Sequence, residues 1–322
     1  MSAGAGHRLF ALITHLIAVS ALFGAPAANA AVGAGEPRGV LIRVEGEDWG
    51  SAEREEVEAV LYAVADQLVA APAAVFDRPI VVTHAPGSPV TLYERGPSGE
   101  YQVRLSARDR RWAQYAYQFG HELCHIMSNY AAHDAGRVLR RNQWFEEALC
   151  ETAALYTLRS LARSWRDAAP YTSWEAYAPV LAGYADRLIA EPHRHLPVGL
   201  APSRWLAAHL DRLARDPYRR KYNEVVATLL LPLFEREPAA WASLHALNRD
   251  PRDAVVGLAR YLQNWKDNAE PAHRGFIAAI AQRLEVHALN AAPSDTPADA
   301  EPTTVTARPS PVQAGRAGPS SW

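Results

Sequence analysis

His121-Glu122-Leu123-Cys124-His125 sets two imidazoles four residues apart, with a carboxylate directly after the first. On an α-helix that spacing turns through about 400°, so both rings leave one face, one turn apart, and can hold one metal ion together. Glu122 lies about 100° round from His121, beside the ligand pair, where a carboxylate can take a proton from water at the metal. Only a helix presents the three groups this way. The stretch from Trp112 to Gly120 is free of proline and has helix-compatible apolar spacing.

A catalytic zinc ion needs a third protein ligand and a position left open for water. Ala131 stands ten residues after His121, which excludes a three-histidine set of that spacing. His133 and Asp134 come next. Eight residues beyond His125 is about 12 Å along a continuous helix, so they reach the metal only if the helix breaks between Asn129 and Ala132. Better placed is Trp144-Phe145-Glu146-Glu147-Ala148-Leu149-Cys150-Glu151, which opens a second helix after a polar turn from His133 to Asn142. Neighbouring Glu146 and Glu147 diverge by about 100°, so only one faces the metal. Glu147 is the expected ligand. One turn on, Glu151 shares its face and can hydrogen-bond the free ring nitrogen of a ligand histidine, whereas the same offset from Glu146 leads to Cys150.

The two cysteines, Cys124 and Cys150, each follow an expected ligand by three residues, about 300° round the helix. Helices that share one metal bring those flanks together. A Cys124–Cys150 disulfide is therefore expected in an oxidising compartment, with two buried thiols as the alternative.

HELCH followed by the second Glu of WFEEALCE resembles the gluzincin group of zinc metallopeptidases, which includes thermolysin-like and aminopeptidase-N-like enzymes. The resemblance covers Arg110 to Tyr156. It implies a zincin fold, Zn2+ held by His121, His125 and Glu147, Glu122 as the base, Glu151 as the supporting acid, and hydrolysis of peptide bonds in peptide or protein substrates. Ala148 stands where aminopeptidase-like members carry Gly, and no Gly-x-Met-Glu-Asn precedes the helix, so an endopeptidase is implied. The resemblance also implies a substrate-pairing edge strand just before the active helix, a place occupied by Tyr101 to Leu105. It further implies a downstream donor for the oxyanion, for which Tyr222 is expected, with Tyr171, Tyr184 and His195 as competitors. A reading from another class is a non-catalytic exported binding or scaffold protein that keeps the zincin fold, with or without the metal. Such a protein has no use for a base at Glu122.

The elements that must position these groups follow from periodicity. Gly39 to Val44, Pro79 to Thr83 and Tyr101 to Leu105 read as strands, and Ala52 to Ala70 as a helix. From Arg110 onward the pattern is helical, interrupted by prolines from Pro170 to Pro271. The expected class is α+β: a small N-terminal sheet with an active-site helix in a zincin-like domain (31–165), then a mostly α-helical lobe (166–290). Trp165, Trp174, Tyr177, Tyr184 and Trp205 read as core ahead of cleft lining, and Arg137, Arg140 and Arg141 as a solvated turn.

The 322 residues carry a formal charge of -2 and 49% apolar content, enough for a sizeable core but without the cation surplus that nucleic-acid binding requires. Arg8, the apolar run Leu9 to Phe23 and the triplet Ala28-Asn29-Ala30 read as a signal peptide (1–30), which predicts export to a periplasmic or extracellular space. No later run is long enough for a membrane anchor. Residues 291–322, rich in Pro, Ala, Ser and Thr, read as a disordered tail.

Overall fold

The computed structural model describes residues 39–69, 76–130 and 140–289. The expected signal peptide and tail lie outside the described residues, as do His133, Asp134 and Arg137. The described residues all belong to one compact unit.

The chain opens β1 (Ile42–Glu45), α1 (Arg54–Leu68), β2 (Ile80–His84), β3 (Val90–Thr91) and β4 (Tyr101–Leu105). Alternation buries Ile42 and Val44 of β1 and Ile80 and Val82 of β2, while α1 buries Val57, Val60, Leu61, Val64 and Leu68 at helical spacing. The sheet order is β1-β2-β4-β3. β1, β2 and β4 run parallel, and β3 returns antiparallel to β4, pairing Val90 with Arg104 and Thr91 with Val103. This corrects the expected edge. Tyr101–Leu105 is an interior strand, and the edge is the two-residue β3.

Two long helices follow, α2 (Trp112–Met127) and α3 (Gln143–Ser164). Gln118 ties α2 to the end of β4, its Oε1 accepting from the Ser106 and Ala107 amides at 3.0 Å each. α2 stops at Asn129, whose φ of 55° is the left-handed conformation that terminates helices and that Asn tolerates better than most residues. Its side-chain amide donates to the carbonyls of His245 (2.7 Å) and Leu247 (2.9 Å).

α3 is buried nearly all round, as a central helix must be. Around it pack α1, α2, α4 (Ala178–Ile189) and α6 (Arg220–Arg236), with α5 (Pro202–Arg215) between the last two in sequence. α7 (Leu258–Asn268), α8 (Pro271–Arg283) and α9 (Val286–Leu289) complete an α+β molecule with a small sheet and a mostly helical body, built on one continuous core. Trp165, Trp174 and Trp205 are buried in that core, where Trp174 stacks near Trp112 and Trp165 with ring centroids 4.6 and 5.6 Å apart. Among the described residues no helix is long and apolar enough to cross a membrane.

α2 and α3 pack tightly at Gly120. A Cβ there would sit 2.9 Å from Thr157 Oγ1, 3.3 Å from Thr157 Cβ and 3.4 Å from the Ala154 backbone. A larger side chain must wedge the helices apart beside His121. Gly120→Val is expected to lower stability by about 1–3 kcal/mol, read from a denaturant midpoint, and to weaken metal binding. An unchanged midpoint would show that the close contact has slack.

Candidate metal centre

His121 and His125 leave one face of α2 with ring centroids 5.1 Å apart. Their Nε2 atoms turn toward a single carboxylate: Glu147 Oε2 is 3.4 Å from His121 and Glu147 Oε1 is 3.7 Å from His125. The structure thus brings the three expected ligands together in the lining of a cleft of about 360 Å³. Glu122 lines the same cleft, 4% exposed, with its Oε2 2.9 Å from the hydroxyl of Thr91 on the edge strand. That hydroxyl also lies 3.1 Å from the Glu122 carbonyl, so its one proton is shared between them. Edge strand and base are thereby held in register.

Behind the ligands, Glu146 takes a role that sequence reasoning missed. Its Oε1 is 2.9 Å from His125 Nδ1, and its Oε2 accepts from Arg140 and Asn248 at 2.9 Å each. Tyr261 donates in turn to Asn248 at 2.8 Å. Burial works against the Glu146 charge, but Arg140, His125 and Asn248 outweigh it and bring the pKa down to about 2. Burial likewise opposes a proton on His125, yet the charges of Glu147, Glu146 and Glu122, with the Glu146 hydrogen bond, raise its pKa to about 10. Arg140, expected in a solvated turn, is buried in this network at 7% exposure.

Glu151 lies beside His121 as expected, but at 4.0 Å from Nδ1 it acts through its charge and makes no hydrogen bond. Its oxygens are already engaged. Tyr117 donates to Oε2 at 2.5 Å and the fully buried Arg194 to Oε1 at 2.7 Å. Arg194 also pairs with Glu224 (2.9 Å) and Glu191 (3.0 Å), and Arg220 joins Glu224 (2.7 Å) to Tyr117 (2.8 Å). Burial opposes the Glu151 charge, but Arg194, Arg220, His121 and Tyr117 hold its pKa below the ordinary value. Glu191, His193 and Glu224 also bring ligand atoms together, but Arg194 and Arg220 already neutralise Glu224, which makes this an ion network.

Tyr222 is not at the centre. It packs against Trp205 and His209, with centroids 5.9 and 4.7 Å away. The cleft is lined instead by Tyr218, Arg220, Asn223 and Glu224. The helical pattern carried that signal: 220, 223 and 224 share a face, while 222 lies about 200° from 220. The competitors also lie elsewhere, Tyr171 against Trp174, Tyr184 against Tyr117, and His195 bonded to the Ile189 carbonyl. Two-thirds of Tyr218 is exposed (66%), but its hydroxyl turns inward and accepts from Gln143 Nε2 at 2.9 Å. Burial of that end, with Tyr93 and Glu147 nearby, pushes its pKa up to about 12, so it is a protonated donor at neutral pH.

No protein-family model matches the chain, and no curated protein or solved structure matches it either. The cysteines differ from expectation. Cys124 and Cys150 are free and buried, close enough that each thiol is part of the other's surroundings, with no disulfide between them. The helices meet on those flanks as anticipated, and the thiols pack there as small apolar groups.

Proposed function

We propose that this chain is a zinc-dependent metallopeptidase of gluzincin type, acting within peptide or protein chains. The observation that carries the reading is the convergence of both histidine Nε2 atoms on the two oxygens of Glu147, with Glu122 lining the same cleft. The donor set suits the ion, since two imidazoles and one carboxylate are ligands that catalytic zinc takes while keeping a position for water. His121, His125 and Glu147 would hold it, and Glu146 fixes the His125 ring through Nδ1. When bound, zinc supplies Lewis acidity toward the scissile carbonyl and toward water.

The protein's own groups do the rest. Leu92 N–H pairs inward to Gln102, and by the alternation of an antiparallel pair the Thr91 N–H and C=O point away from β4. An extended peptide can add there as a further strand, over the cleft that holds Glu122 and the histidines. Glu122 takes a proton from the attacking water and returns it to the leaving amine. Tyr218 donates a hydrogen bond to the oxygen that gains charge.

The reading is tested by metal analysis of the purified protein alongside cleavage of an unstructured protein substrate. About one zinc per chain with metal-dependent cleavage is expected. A protein that binds zinc and cleaves nothing would favour the binding or scaffold alternative. Tyr218→Phe is expected to lower kcat by about ten- to a hundredfold with KM little changed, whereas Tyr222→Phe leaves kcat near wild type. The reverse pattern would return the donor role to Tyr222.

A further inference from the structure

Cys150 sits one turn beyond Glu147 on α3, fully buried, with its sulfur against the Cys124 thiol. His121, His125 and Cys150 each offer a ligand atom, and these three atoms lie within 4.8 Å of one another. With metal–nitrogen bonds of about 2.0 Å and metal–sulfur bonds of about 2.3 Å, ligand atoms around a tetrahedral ion stand roughly 3.3–3.8 Å apart. Movement of about 1 Å closes the triangle. Sulfur is the soft donor in this neighbourhood and carboxylate the hard one, so ions of different softness have different best partners.

We propose that the centre contains a second donor set, His121–His125–Cys150, which takes soft, thiophilic cations such as Cd2+ or Cu+, while Zn2+ is held with Glu147. The inference rests on His121 and His125 being metal ligands, as in the proposed function. Binding replaces the Cys150 S–H bond with a sulfur–metal bond and releases one proton to solvent.

The test uses the full chain, reduced and metal-free, titrated with Cd2+ or Zn2+ while ultraviolet absorption is recorded. Wild type is expected to develop a thiolate-to-cadmium charge-transfer band that saturates near one Cd2+ per chain, and Cys124→Ser to develop the same band. Cys150→Ser is expected to lose the band and to bind Cd2+ at least about tenfold more weakly, with Zn2+ affinity changed less than about threefold. A band that persists in Cys150→Ser overturns the assignment. So does wild type that binds Cd2+ without a band, a result that needs no variant to fold. Wild type that binds neither ion overturns the centre itself. Wild type that binds Zn2+ normally but takes Cd2+ without sulfur overturns this proposal alone.

Discussion

Under the proposed function, Glu122→Gln is expected to bind zinc as the wild type does and to lose hydrolysis by a factor of about 10² to 10⁴. The substitution preserves size and polarity, and the Gln side-chain oxygen can still accept from Thr91, which lies 2.9 Å from the carboxylate, so the edge strand stays in place. What disappears is the proton acceptor beside the ligand pair. Metal content and cleavage of an unstructured substrate, measured on one preparation, decide the matter. Retained zinc with unchanged turnover would remove Glu122 from the mechanism, and loss of zinc would show that the residue shapes the centre.

The second large effect separates two adjacent acids. Glu147→Ala is expected to weaken zinc binding by more than about a hundredfold while leaving the fold intact, because it removes the carboxylate that both Nε2 atoms face. Glu146→Ala should behave differently. It leaves Arg140, 7% exposed, without its buried partner, at a cost of about 3–5 kcal/mol, and weakens metal binding only about 10- to 100-fold through His125. Calorimetric metal titration and denaturant unfolding on both variants read the two effects apart. If Glu146→Ala loses the metal at unchanged stability while Glu147→Ala keeps it, the roles are exchanged.

Much of this centre was legible because helices write their faces into sequence at fixed spacing. The pairing of His121 with His125 follows from the angle between helix residues, Glu147 is preferred to Glu146 because Glu151 shares its face one turn on, and the structure places His121, His125 and Glu147 together. The roles that stayed hidden depend on long-range contacts. Glu146 is held by Arg140, six residues before it, and by Asn248, 102 residues after it, a pairing no local pattern announces. β3 leaves no trace in the sequence pattern, because two residues after Pro89 make too short a run for alternation to register, and β4 then reads as the edge. Tyr222 has the right residue type for a donor, but the face of α6 that lines the cleft carries Arg220, Asn223 and Glu224. The cysteines were correctly brought together by helix geometry, but contact between sulfurs does not decide whether they are bonded.

The clamp on the end of α2 also sets an order of events during synthesis. Asn248 donates to the carbonyl of Ser128, 120 residues earlier, and to Glu146, while Asn129 reaches forward to His245 and Leu247. A ribosome that has translated only as far as α6 has made His121, His125, Glu147 and Arg140, but not Asn248, which ties the end of α2 to the carboxylate behind His125. Contacts of such high sequence separation form late and slow folding. From the synthesis of Glu147 to that of Asn248 the nascent chain therefore carries all three expected ligands without the clamp that Asn248, and Tyr261 behind it, complete.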